Sequence, residues 1–152
     1  MPFDRPDNWN FPLLLHVAGA MLLVGSLLLV ASILISAWRS GSVELVRSAA
    51  RLLIVAVFPS YLLMRVGAQW IASKEGLDNL DNPPSWLDIG FTVADFGLLL
   101  LIISMIATGL AVRRLKRVGS GPAISARIAT GLVSLLLVAY LVAVWAMTTK
   151  PT

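Results

Sequence analysis

Apolar residues fill four long blocks of this chain, and the polar residues gather between them. The first block runs from Phe11 to Trp38, the second from about Ala49 to Ala72, the third from Trp86 to Val112 and the fourth from Ile128 to about Thr148. Each is long enough to cross a bilayer, whose hydrocarbon core needs about 20 apolar residues in a helix. Barrel strands alternate apolar and polar positions over about 10 residues, and these blocks do not. The pattern therefore predicts four transmembrane helices. Asn82, Pro83 and Pro84 break the chain before the third. Ser85 and Asp88 then form Ser-x-x-Asp, a capping-box-like start. Gly119, Ser120, Gly121 and Pro122 mark a third loop. The first block is too long for a signal peptide and lacks a positive lead, so it reads as a retained span.

Composition supports the membrane class. Of 152 residues, 58% are hydrophobic and 13% charged, with a mean hydropathy of +0.86. A soluble domain is nearer 45–50% apolar, roughly. One transmembrane domain is expected over residues 1–152, with no length left among them for a soluble module. The net charge of +4 would suggest nucleic acid in a soluble protein. Here the basic residues lie between apolar blocks, so topology and lipid headgroups account for them. The absence of cysteine excludes disulfides and thiolate metal sites.

Charge sorts the loops. The first carries Arg39, Arg47 and Arg51 against Glu44. The third carries Arg113, Arg114, Lys116, Arg117 and Arg127 with no acid. The second carries Glu75, Asp78, Asp81 and Asp88 against Lys74, and the N-terminal segment Asp4 and Asp7 against Arg5. Basic loops stay cytoplasmic, which predicts both termini and the second loop outside. Trp9, Trp70, Trp86 and Trp145 fall near the outer ends and Trp38 near an inner end, as interfacial tryptophans should. Trp9 and Trp86 each precede a span that ends in a basic loop, and Tyr61 and Tyr140 occupy similar positions in spans two and four. Two such hairpins would form a faint parallel repeat.

Two opposite charges, Arg65 and Asp95, interrupt spans two and three. A rise of 1.5 Å per residue puts His16 about 8 Å, Arg65 about 10 Å, Tyr140 about 12 Å and Asp95 about 13 Å below the outer surface. Tyr61, Arg65 and Gln69 share one helical stripe, as do Asp88, Thr92 and Asp95, and His16, Gly19 and Ser26. Such stripes are expected to face the bundle interior. His16, Tyr61, Arg65, Gln69, Asp95 and Tyr140 are thus a candidate polar cluster. Its plain reading is a structural ion pair, since one partner alone would be penalised heavily. Its functional reading is a proton or substrate site reached from outside. Arginine stays charged, so Asp95 would titrate and Arg65 would clamp an anion.

Other chemistry is sparse. His16 is the sole histidine, usually an interior hydrogen-bonded residue, and a metal or haem ligand only with help from elsewhere. Met21, Met64, Met105 and Met147 are scattered in depth and make no copper-type spacing. Pro59 is expected to kink span two before Arg65. No nucleotide fingerprint, P-loop or zinc motif occurs, and no nucleophile–base constellation is visible.

Two short motifs carry a resemblance. Leu15-His16-Val17-Ala18-Gly19-Ala20, continuing to Gly25, resembles the LHxxGAxxxxGG opening of bacterial predicted integral membrane proteins of unknown function. Ser26 stands where that pattern has its second glycine. The ending from Trp145 to Pro151 resembles the same family's W-x-M-x-x-K-P. The opening is also similar to that of copper-resistance D membrane proteins. The resemblance implies a four-helix bacterial inner-membrane protein, with His16 as the family's helix-one histidine and copper handling by analogy alone.

The expectation is an all-α, antiparallel four-helix membrane bundle with both termini outside. It would be a non-enzymatic accessory or structural component without a cofactor. Its partners would be the lipid bilayer and either further copies or a larger membrane complex, not nucleic acid. The competing class is a small transporter or channel-like protein using the cluster.

Overall fold

The computed structural model describes residues 10–76, 85–118 and 124–149. Among these, all regular structure is helical. Helix α1 spans Asn10–Ser40 without a break. Pro12 falls in its first turn, where a missing N–H costs nothing. Ser32, Ser36 and Ser40 each donate to the carbonyl four residues earlier, at 2.9 Å. Their hydroxyls are thereby satisfied on a surface that needs no water. Gly41 ends the helix with φ 66°, a left-handed conformation that suits glycine. Ser42 caps the next helix by accepting from the Leu45 N–H at 3.4 Å.

Helix α2 (Val43–Leu52) therefore begins well before Ala49. Arg47 and Arg51, expected in a loop, are helical. Charge ends the apolar block but not the helix, because arginine is a good helix former. Residues Leu53–Val57 then widen into a π-helical turn, in which the Phe58 N–H bonds the Leu53 carbonyl. Pro59 follows directly, and its ring cannot share a normal turn with the carbonyl of Val55. The wide turn absorbs that conflict, as such bulges commonly do. Helix α3 (Phe58–Glu75) ends at Gly76, φ 68°. Helix α4 (Ser85–Val118) starts one residue before the expected Trp86 and continues past Val112, so its four basic residues are also helical. Helix α5 spans Ile124–Thr149. Asn82, Pro83, Pro84 and the 119–122 loop lie outside the described residues, as do Trp9 and the terminal Lys150 and Pro151.

Four helical stretches are long and apolar enough to cross a membrane: α1, the run from Val43 to Glu75, α4 and α5. Their core is aliphatic, with Leu23, Leu27, Val30 and Leu34 of α1 meeting Leu53, Val57, Leu101, Val133 and Leu136. Leu14, Met21, Val55, Val66, Phe96 and Ile106 stand exposed on the outside, an apolar coat matched to hydrocarbon. Helix α1 packs on α3 and α5, α4 packs on α5, and α2 packs on both α1 and α4. Helices α3 and α4 barely meet.

At the α1–α3 contact each helix approaches the other's backbone. A methyl group added at Gly19 would strike the backbone of Met64, and one at Gly67 the backbone of His16. Small residues permit this approach where no hydrophobic effect drives helices together. Gly25, by contrast, has open space around it.

Candidate functional site at the α3–α4 opening

Side chains of Tyr61, Arg65, Phe91 and Asp95 span the sparse α3–α4 contact. Arg65 of α3 donates from Nη2 to Oδ1 of Asp95 on α4 at 2.7 Å. Its guanidinium also lies 5.1 Å from the centre of the Phe91 ring, a cation–π contact. One turn earlier on α3, the buried Tyr61 hydroxyl donates to the Ala94 carbonyl at 3.1 Å. Phe91 and Asp95 are four residues apart, so one face of α4 supplies both the ring and the carboxylate.

The pair is not enclosed by the bundle. Arg65 is 27% exposed and Asp95 65%. Thr92 and Asp88, on the same stripe as Asp95, are exposed as well. The inward orientation expected for the stripe of span three thus does not hold. The reason is the thin α3–α4 contact: with no helix behind it, this face of α4 opens to the outside of the bundle. The stripe of α3 turns as it climbs, from buried Tyr61 through half-buried Arg65 to exposed Gln69.

Tyr140 of α5 comes to the same level from the other side. Its ring is buried, and its hydroxyl rests on Gly97, where a methyl group would collide with it. Gly97 lies three residues after Ala94, whose carbonyl accepts from Tyr61, so the two tyrosine hydroxyls approach the same turn of α4. Neither the Tyr140 hydroxyl nor Nη1 of Arg65 has a hydrogen-bond partner among the described residues, although both atoms are buried. Two orphaned donors beside one ion pair are uncommon in a packed interior.

His16 has a different engagement. Its Nδ1 lies 3.0 Å from the Met64 carbonyl, which ties α1 to α3. The ring therefore joins the α1–α3 contact rather than the ion pair. Among the described residues no group of His, Asp or Glu side chains is placed to hold a metal ion.

The structure brings together Tyr61, Arg65, Asp95 and Tyr140 of the six candidate residues, with His16 one helix face away. Phe91 was not singled out by its sequence, although its spacing from Asp95 is a usable signal. The carbonyls of Met64 and Ala94 leave no trace in a sequence, because every residue has one. The arrangement can hold two helices together through charge and can offer an open carboxylate edge to a neighbour. Compared with known proteins, the chain matches no family model, no curated protein and no solved structure.

Proposed function

We propose that this chain is a non-enzymatic accessory or structural component of a membrane, built as an antiparallel four-helix bundle with both termini and the second loop outside. The resemblance of its two end motifs to bacterial proteins suggests a bacterial inner membrane. Antiparallel packing is supported by register: Gly19 meets Met64 while Gly67 meets His16, and Gly90 meets Met147 while Gly97 meets Tyr140. The distribution of basic and acidic ends supports the orientation.

One observation carries the functional reading. The Arg65–Asp95 pair links two helices that otherwise scarcely touch, and it remains open on the outer flank of the bundle. A charge within a span is costly unless it is partnered. Pairing lowers that cost inside the chain, and a further membrane protein or a second copy would cover what stays exposed. The test is Arg65→Leu combined with Asp95→Leu. The structural reading expects a folded protein with weakened self-association or complex formation; unchanged association with full folding would contradict it.

A second reading, a small transporter with an outward polar site, is favoured by the orphaned Tyr140 hydroxyl and Arg65 Nη1. Separation of α3 from α4 would uncover both donors together. Under that reading the same double variant folds but loses solute flux in proteoliposomes, and a fully active variant would exclude it.

A further inference from the structure

The opposite end of the bundle is a second, unrelated feature. Here α1 ends, α2 begins, α4 ends and α5 begins. Helix α4 has 34 residues, hence a length of about 51 Å against a hydrocarbon core of about 30 Å. Its length exceeds that core by about 20 Å, and it packs against α2. Four of the residues 113–117 are basic, and all four are exposed. Arg39, Arg51 and Arg127 add three more exposed cations. Among the described residues none of these seven has a carboxylate partner, whereas the half-buried Arg47 at the same end pairs with Glu44 at 2.7 Å. Topology alone requires positive charge here, but not an ordered arrangement of it.

One part is ordered. The Arg127 guanidinium of α5 lies 5.0 Å from the centre of the Trp38 ring on α1, and Arg39 follows at the next position. Tryptophan prefers the level of lipid headgroups. Stacking on it fixes the guanidinium plane while leaving its N–H fork free, and that fork matches phosphate oxygens. We propose that this end is a docking collar for the phosphates of anionic phospholipids, with Trp38, Arg39 and Arg127 as its defined seat and residues 113–117 as its flanking charge.

The test titrates the detergent-purified full chain with short-chain phosphatidylglycerol, short-chain phosphatidylcholine or inorganic phosphate, and reads the thermal unfolding midpoint. Phosphatidylglycerol should raise the midpoint, while the other two leave it near its starting value. Each basic residue near an anionic surface is worth about fivefold in binding, so Arg39→Ala with Arg127→Ala should weaken the lipid's effect about 25-fold. Arg127→Lys keeps the charge and should lose less. Lys74→Ala is the control, because Lys74 lies over Trp70 at the other end of the bundle, at 5.6 Å, and it should change nothing. An equal response to phosphatidylcholine would overturn the proposal. So would an equal response to inorganic phosphate, or a double variant that binds phosphatidylglycerol as the native chain does.

Discussion

Helix α3 has two neighbours at the same depth, and it meets them by opposite means. Against α1 it uses glycine: at Gly19 and Gly67 one helix approaches the other's backbone, and His16 adds a bond to the Met64 carbonyl. Against α4 it makes little contact and relies on Tyr61, Arg65 and the ring of Phe91. In a bilayer the lipid tails are as apolar as leucine, so helices associate through close packing or through polar links. This molecule uses the first on one side of α3 and the second on the other. The packed side tolerates no added volume, and the linked side tolerates no unpaired charge.

The largest effect should come from filling the packed side. Gly67→Leu forces a side chain into the backbone of His16, which cannot yield as a flexible side chain would. A loss of about 3 kcal/mol or more is expected, at the upper end of overpacking costs. Thermal unfolding in detergent would show it, and a near-native midpoint would mean the α1–α3 contact is looser than described.

Next comes the linked side. Asp95→Asn leaves Arg65 charged without its counter-ion, and a stranded charge in a span costs about 2.5–3.5 kcal/mol at the midplane. This site lies nearer the surface and is partly open, so a loss of about 2 kcal/mol is expected. Arg65→Leu with Asp95→Leu removes both charges and should recover most of it. Two additive single losses in that double-variant cycle would deny the coupling.

Smaller effects separate the two tyrosines. Tyr61→Phe removes a buried hydrogen bond and should cost about 1 kcal/mol. Tyr140→Phe removes a buried hydroxyl that has no partner among the described residues, so it should be neutral or slightly stabilising. Equal losses for the two would mean Tyr140 has a partner in the membrane. Gly25→Ala acts in the opposite direction: the added methyl meets open space in mid-helix and should stabilise by up to about 1 kcal/mol.

Much of this comparison was legible in the sequence. Length and apolarity gave the four helices, and counting residues from the block ends put Arg65, Asp95, His16 and Tyr140 at one level. The pairing of Arg65 with Asp95 followed from cost alone, because two opposite charges at equal depth leave few alternatives. What escaped was which way α4 faces. Its stripe of Asp88, Thr92 and Asp95 looked internal by polarity, but orientation depends on how far α3 stands away, and that depends on Gly19 and Gly67 drawing α3 toward α1. Helical periodicity describes one helix at a time and carries no inter-helix distance. Helix ends were misplaced for a related reason. Arg47, Arg51 and residues 113–117 end the apolar pattern, whereas the backbone continues until Gly41 and Ser42 on one side and past Arg117 on the other. A kink was expected at Pro59; what the structure shows there is a π-helical turn, of which a sequence marks only the cause.

Polar side-chain links, with the Arg65–Asp95 pair foremost, rather than close packing hold α3 to α4. Spin labels attached through Ser73→Cys on α3 and Asp88→Cys on α4, both exposed positions, would measure that separation by pulsed electron resonance in lipid nanodiscs. A second pair, Ser73→Cys with Leu13→Cys on α1, reports the glycine-packed side. When Asp95→Asn is introduced, the α3–α4 distance should lengthen and broaden by several ångströms while the α3–α1 distance stays fixed. An unchanged α3–α4 distribution would contradict the account.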